Sequence, residues 1–283
     1  PHASVCGGRR RCSTCRVRIS DGFEAAPPPD EGEAKVLAKV HAPPGVRLAC
    51  QLRPTGDITV AQLLPPNATA ADARNVPEHQ SGAERDIAIM FADIRAFTQI
   101  SEDKLPFDVV FLLNQYFRSM GHAIETNGGR LDKFIGDGIM ALFGIESGAG
   151  AGARQALAAT AAMSVSLTEL NATLAHDLDR PLRIGVGLHT GAVIVGEMGY
   201  GGVRSVTAIG DAVNVASRLE PMTKDYMAEV VISADVFRVA GLDARGLRTE
   251  TVEVRGREQP LDVIVLNSGA ELQMLLATAE ATA

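Results

Sequence analysis

The sequence predicts an α+β chain in two parts, a large domain built on a mixed sheet and a small cysteine-bearing module before it. Three observations carry this. After Arg85, strand-like and helix-like stretches mix, with two candidate hairpins among them, which suits a sheet covered on one face by helices. All four cysteines, Cys6, Cys12, Cys15 and Cys50, lie in the first fifth of the chain. Between the two parts runs PPNATAADARNVPEHQSGAE, with Pro65, Pro66 and Pro77 among small and polar residues, too little apolar surface to bury. At 283 residues the length prior is about two domains. The expected boundaries are a module over 1–64, a linker over 65–84, the large domain over 85–268 and a tail over 269–283.

Taken in order, the module closes on a strand at Asp57–Leu64. DIAIMFADI, Asp86–Ile94, reads as a buried strand because its apolar run is short and continuous. Pro106–Glu125 reads as a helix, with Pro106 suited to a first turn and Gly128-Gly129 to the stop. Arg130–Phe134 and Gly138–Phe143 flank Gly136-Asp137-Gly138 and read as a β-hairpin. An Ala-rich helix follows from about Gly152 to Leu178. Leu182–His189 and Ala192–Met198 form a second candidate hairpin about Thr190-Gly191. Val203–Ile209 is a strand, a helix begins at Ala212–Leu219, and Val230–Ser233, Arg248–Val254 and Leu261–Leu266 are late strands.

Composition excludes some function classes. The formal charge is −7, and this acidic balance argues against a general nucleic-acid binder, which needs a basic face to meet phosphates. A nucleotide substrate stays open, because a site meets that charge locally. Hydrophobic residues make up 46% of the chain, enough for an ordinary core. No run approaches the ~20 apolar residues that span a bilayer, and Arg154, Gln155, Glu169 and Asn171 interrupt the nearest candidate. No signal peptide is visible. The expected setting is cytoplasmic.

Three motifs carry chemistry: FADIRAFT (Phe91–Thr98), LDKFIGDGIMALFG (Leu131–Gly144) and TAIGDAVNVASRLE (Thr207–Glu220). Asp93 ends one strand and Asp137 sits at a hairpin tip, so two neighbouring antiparallel strands could bring both carboxylates to one sheet edge. Hard divalent cations want such oxygens. Asn214 and Arg218 are four apart on a helix and share a face. The bland account is two solvated turn aspartates and an ordinary polar helix face. Together and in this order, the motifs resemble the catalytic domain of class III nucleotide cyclases, the adenylate and guanylate cyclase family, from about Glu84 to about Leu266.

The resemblance implies a ferredoxin-like, βαββαβ-type domain in which Asp93 and Asp137, with Ile94 beside them, hold two Mg²⁺ or Mn²⁺ ions. It implies that the turn at Phe97 and Thr98 receives triphosphate, where backbone N–H groups open a helix; simple capping by Thr98 is the bland account. Asn214 would orient the ribose and Arg218 would neutralise the phosphate. Lys133 and Thr207 would read the base: the family pairs lysine with aspartate or threonine for adenine, and glutamate with cysteine for guanine. Arg255 matches a late triphosphate-contacting lysine, with charge kept and geometry changed. His189 has no obvious carboxylate partner and reads as structural. The family builds each site between two catalytic domains, so a chain carrying both halves implies a homodimer.

CGGRRRCSTCRV followed by RLACQLRPTGDITV resembles the C-terminal part of a plant- or adrenodoxin-type ferredoxin, a β-grasp module that holds a two-iron two-sulfur cluster on four thiolates. Cys6, Cys12, Cys15 and Cys50 would be the ligands, with Gly7 and Gly8 letting the backbone wrap the sulfides. Zinc is the competing metal, but zinc sites usually pair two short C-x-x-C units and only one is here. A complete ferredoxin domain has an opening hairpin before this loop. The chain therefore reads as a piece of a longer protein, with the completeness of its cluster site in question and room upstream for a membrane anchor. Arg9, Arg10 and Arg11 form a cationic loop that could dock an acidic redox partner. The expected activity is an adenylate cyclase making cyclic AMP and pyrophosphate from ATP, regulated by the iron–sulfur module. The alternatives are a guanylate cyclase, or an electron-transfer protein with a non-catalytic cyclase-like dimerisation domain.

Overall fold

The computed structural model describes residues 6–63, 82–200, 203–257 and 259–280. The chain divides into two compact units, Pro1–Gly82 and Ala83–Ala283. Most of the expected linker lies outside the described residues. Its last two positions, Ala83 and Glu84, already belong to a strand of the second unit.

The first unit is a three-stranded antiparallel sheet of β1 (Arg16–Asp21), β2 (Val46–Leu48) and β3 (Thr59–Gln62), with β1 in the middle. β3 is shorter than the expected closing strand, and Leu64 lies outside the described residues. A helix, α1 (Glu31–Lys39), lies between β1 and β2 and has no counterpart in the sequence reading. Its start is nonetheless written in the chain: the Asp30 carboxylate accepts from the Glu33 amide at 2.8 Å. Leu37 of α1 packs with Cys15, Val46 and Leu48. Beside them Glu33 and Arg47 form a buried bidentate ion pair, at 2.9 and 2.8 Å, and Glu33 also accepts from the Leu48 amide. A buried charge is tolerated when paired and hydrogen-bonded in this way.

The second unit is an eight-stranded sheet. Its strands are β4 (Ala83–Ile94), β5 (Gly129–Ile135), β6 (Gly138–Phe143), β7 (Ile184–Tyr200), β8 (Val203–Ile209), β9 (Val230–Ser233), β10 (Thr249–Val252) and β11 (Leu261–Leu266). The order is β10-β11-β9-β7-β4-β6-β5, with β8 paired to β7. Among the described strands only β7 and β9 run parallel, and the chain crosses between them through helix α5 (Asp211–Asp225). The other helices are α2 (Phe97–Glu102), α3 (Pro106–Thr126), α4 (Ala149–Thr173), α6 (Ala234–Ala240) and α7 (Glu271–Glu280).

Period-two alternation along β4 sorts the two faces. Ala88, Met90, Ala92 and Ile94 point into the main core with Tyr116 and Met120 of α3, Leu157 and Met163 of α4, and Phe237 of α6. Ile87 and Ile89 point the other way, against Ala212 and Ala216 of α5. The sheet thus carries helices on both faces, several on one and α5 on the other, where one covered face was expected. α4 starts at Ala149 and ends at Thr173, five residues short of the expected Leu178. The stretch expected as a tail carries α7, whose Leu272 is fully buried in the main core.

The second expected hairpin does not form. β7 runs as one 17-residue strand, and Thr190 and Gly191 stay in register opposite Ala88 and Ile87. Thr190 Oγ1 donates to the Ile87 carbonyl at 2.9 Å, so the threonine fixes the ladder where a turn was expected. Among the described residues, no helix is long and apolar enough to cross a membrane.

Candidate active site

β4 and β6 pair with Phe91 opposite Met140 and Ala92 opposite Ile139. That register carries Asp93 to the end of β6, beside the turn that holds Asp137. Asp93 lies on the same face as Ile87, Ile89 and Phe91, the face that α5 covers. Gly138 suits the tight turn: a Cβ there would stand 3.1 Å from the Ile135 carbonyl. Asp93 stands beside Asp137, close enough for its carboxylate to act on it. Burial, then the Asp93 hydrogen bond and its negative charge, push the Asp137 carboxyl up to about 7, while the Ile94 amide N–H pulls the other way. Asp93 Oδ1 is buried with no hydrogen-bond partner. The Ile94 side chain is in the core, so only its main chain faces these groups.

Two carboxylates pressed together, one with an orphaned buried oxygen, form a site short of positive charge. Among the described residues, no group of three or more His, Cys, Asp or Glu side chains gathers in ligand geometry. Magnesium needs no such cage; it is commonly held by one or two carboxylates and the phosphates of its substrate. The residues present fit a divalent cation of that kind.

After Asp93 the backbone turns through Ala96, which takes a left-handed φ of 56°, and α2 begins at Phe97. No side chain caps α2, so Thr98 is exposed and is not the cap. The Phe97 ring packs against the main core, leaving its amide as the group available to a ligand.

Lys133 and Thr207 meet. Lys133 Nζ donates to Thr207 Oγ1 at 3.0 Å. Opposite Met140, Lys133 stands on the same face as Phe91 and Asp93. A third residue closes the cluster: Thr207 Oγ1 donates to Asp132 Oδ2 at 2.7 Å, and Lys133 Nζ lies 3.2 Å from the same oxygen. Asp132 is placed by a bulge. Leu131 pairs with Ala141 and Lys133 with Met140, so Asp132 is the extra residue of β5. The sequence reading missed it, since a bulge leaves no mark in residue type here.

α5 carries Asn214, exposed, and Arg218 one turn on. The Arg218 guanidinium donates to the Arg255 carbonyl, so it is the Arg255 main chain that the structure brings to Arg218. α5 lies hard on β7 because Gly187 has no side chain; a Cβ there would stand 2.3 Å from the Glu220 amide and 2.7 Å from the Ala216 carbonyl. A buried ion pair, Arg95 Nη1 to Glu220 Oε1 at 2.9 Å, ties the end of β4 to the same helix. Burial raises the Glu220 carboxyl, and Arg95 opposes that shift. Neither Arg95 nor Glu220 was singled out in the sequence, although both sit inside the motifs. His189 is buried with Nδ1 2.7 Å from Ser233 Oγ, and burial lowers its pKa to about 4. Its place is in the core. Among the described residues, no hydrogen bond or ion pair joins the Asp93–Asp137 pair, the Lys133 cluster and Arg218 to one another.

In the first unit the thiols gather in pairs. Cys15 and Cys50 are 3.3 Å apart, and Cys12 lies near enough to Cys6 to favour its thiolate. Gln51 Nε2 donates to Cys50 Sγ at 3.3 Å and to the Gly8 carbonyl at 2.7 Å, holding the loop to the distant cysteine. Burial opposes ionisation of Cys6, but N–H groups of Arg11, Arg9 and Gly8 and the Cys12 thiol bring it down to about 7. Burial raises Cys15 to about 11. Two thiol pairs, one beside several backbone N–H groups, supply the four sulfurs that a two-iron two-sulfur cluster takes, although the four do not gather as one ligand group among the described residues.

Comparison with known proteins adds a family to this geometry. Residues 79–267 match the adenylate and guanylate cyclase catalytic domain, and residues 1–55 match the 2Fe-2S iron–sulfur cluster binding domain. The chain is 35% identical over 190 residues to an adenylate cyclase of Anabaena cylindrica and 32% identical over 179 residues to adenylate cyclase 1 of Rhizobium meliloti. These matches cover 65% and 63% of this chain but only 37% and 27% of those proteins. Among solved structures, guanylyl cyclase Cya2 is similar at 34% identity and a TM-score of 0.59, covering 65% of this chain and 92% of that one. The adenylyl cyclase CyaB from P. aeruginosa is similar at 29% and 0.58, covering 66% and 96%.

Proposed function

The chain belongs to the adenylate and guanylate cyclase catalytic-domain family, and from that premise we propose that it is an adenylate cyclase, forming cyclic AMP and pyrophosphate from ATP. The relatives divide by name between the two bases, so the choice of adenine rests on this chain's own residues. The observation that carries it is the hydrogen bond between Lys133 and Thr207. An ammonium can donate to a ring nitrogen of adenine, and a threonine oxygen can accept from the exocyclic amine.

Asp93 and Asp137, with the main chain at Ile94, would hold two Mg²⁺ or Mn²⁺ ions. Bound there, such ions supply Lewis-acid charge for the attacking 3′-oxygen and for the leaving pyrophosphate. The turn through Ala96 to Phe97 and Thr98 offers main-chain N–H groups to the triphosphate. Asn214 orients the ribose and Arg218 places its guanidinium against the charge that builds on the phosphate. Arg255, exposed in the neighbouring turn, adds a cation for the triphosphate.

The working unit in this reading is a homodimer with two equivalent sites, one copy supplying the carboxylates and the other the base-reading and Asn214–Arg218 groups. Two features support it. Among the described residues no hydrogen bond or ion pair joins the half-sites within one chain, and Phe134, Ile135 and Ile209 near them leave apolar side chains 48%, 56% and 58% exposed. The four cysteines would carry a two-iron two-sulfur cluster whose redox state sets cyclase output.

The deciding experiment is a product assay with ATP and with GTP as sole substrate, with Mg²⁺ or Mn²⁺ supplied. Cyclic AMP is expected as the main product. A higher kcat/KM for GTP would replace adenylate with guanylate cyclase, and no turnover of either would leave a binding or dimerisation domain.

A further inference from the structure

We propose that Asp132 is a specificity-determining positioning residue that imposes adenine preference by fixing the hydroxyl proton of Thr207, an inference that rests on the reading of Lys133 and Thr207 as the base-contacting pair.

A threonine hydroxyl owns one proton and two lone pairs. Left alone it can turn to meet an amino group or a carbonyl, and it distinguishes the two poorly. Here it is not left alone. Its oxygen stands 2.7 Å from Asp132 Oδ2, and an ionised carboxylate only accepts. The proton is therefore committed to Asp132. One lone pair takes Lys133 Nζ at 3.0 Å, and what remains for an incoming base is a single acceptor. The adenine 6-amino group can donate to it. The guanine O6 would meet it lone pair against lone pair. Lys133 is committed in the same way: with three N–H donors, it directs two to Thr207 and Asp132 and keeps one for a ring nitrogen that accepts. Guanine carries a hydrogen at that ring position.

Burial separates the roles within the triangle. The Lys133 side chain is 43% exposed, whereas that of Asp132 is fully sheltered, so the lysine can reach a ligand and the aspartate acts only through its neighbours. The bulge explains how two successive residues serve one cluster: in regular pleating Asp132 and Lys133 would point to opposite faces, and the extra residue re-aims the aspartate. Asp132 Oδ1 is buried without a hydrogen-bond partner. A carboxylate held there despite that orphaned oxygen points to a function beyond packing.

The test measures kcat/KM on the full chain with ATP, GTP and purine riboside triphosphate, which lacks the 6-amino group but keeps the ring nitrogen. Asp132→Asn can donate to Thr207 and reverse its hydroxyl; Asp132→Ala leaves the hydroxyl free. Both are expected to lower the ATP-to-GTP ratio at least about tenfold, with far less loss on purine riboside triphosphate than on ATP. Thr207→Val should lower the ratio similarly, and adding Asp132→Asn to it should change little more, because the two residues act as one unit. An unchanged ratio in the Asp132 variants overturns the proposal. So does an equal loss on all three substrates, failure to fold included, which would make Asp132 structural, and so does full additivity with Thr207→Val. A wild-type protein that does not prefer ATP sinks the base reading beneath the proposal and is recognised before any variant is made.

Discussion

At Asp137 one side chain shows function set against stability. Its carboxyl holds a proton up to about pH 7 in the folded chain, against an ordinary value of 3.8, because it is half-buried beside Asp93. The folded state therefore binds more protons than the unfolded state between those values, and stability drains as pH rises through that window. Asp137→Asn removes the conflict. In metal-free buffer at pH 8 its unfolding midpoint should lie above wild type, while cyclic nucleotide formation falls on the order of 10²-fold or more; a lower midpoint would deny the carboxylate repulsion. His189 works in the opposite direction. Burial lowers its folded pKa to about 4 from 6.5, so the unfolded state takes up the proton first and stability is lost as pH falls from about 6.5 to 4. His189→Gln should flatten that loss, worth up to about 3 kcal/mol at the acid end, in urea midpoints measured across the range. An unchanged acid limb would place the proton uptake elsewhere. The family resemblance singled out Asp93, Asp137, Lys133 and Thr207, and the structure brings Lys133 to Thr207 and Asp93 beside Asp137. Arg95–Glu220 was not legible in the sequence, because a pair separated by 125 positions appears only once the sheet and α5 are packed.

Elements place these side chains, and α5 is held by what β7 lacks. Gly187 faces the α5 backbone with no room for a methyl group. Gly187→Ala should lift the helix, cost about 1–3 kcal/mol as overpacking does, and lower kcat through displaced Asn214 and Arg218. Urea midpoints and kinetics together check it; full stability with full activity would show the helix is not seated as described. β7 also marks where the sequence misleads. Thr190-Gly191 between two apolar runs has the composition of a turn, yet the hydrogen bonds of both runs to β4 favour one straight strand over two short ones. α3 was legible because Pro106 and Gly128 mark its ends, and the β5–β6 hairpin because Gly136-Asp137-Gly138 suits a tight reversal. The bulge at Asp132 was not, since register is a property of two strands at once.

For the whole molecule, the proposed site shared between two copies predicts complementation between damaged copies. Asp93→Ala and Asn214→Ala should each be nearly inactive. In a mixture with free exchange, half the dimers are mixed and each has one intact site, so activity should recover to roughly a quarter of wild type. Proven exchange without recovery would place each site within a single chain. The cysteine unit makes a separate prediction. Anaerobically prepared protein should bind iron and sulfide and absorb visible light, and Cys50→Ser should lose both, because it breaks the Cys15–Cys50 pair. Iron-free wild-type protein would end the cluster reading. The two-part organisation was legible because cysteines and prolines cluster in the chain; α1 was not, since its nine residues are too short a run to show a helical period.

The extra residue in β5 also bears on how such a protein can change. A shift of base preference by substitution at Lys133 and Thr207 alone would leave a sheltered carboxylate facing the new pair, and a glutamate at 133 would stand directly beside it. Two adjacent acids without a cation are the costly intermediate on that route. If Lys133 and Thr207 read the base as proposed, exchanging those two alone carries this cost, whereas a change at Asp132 or loss of the additional residue relieves it. On that proposal, strand register, and not only the two contacting side chains, limits how the base contact can be re-aimed.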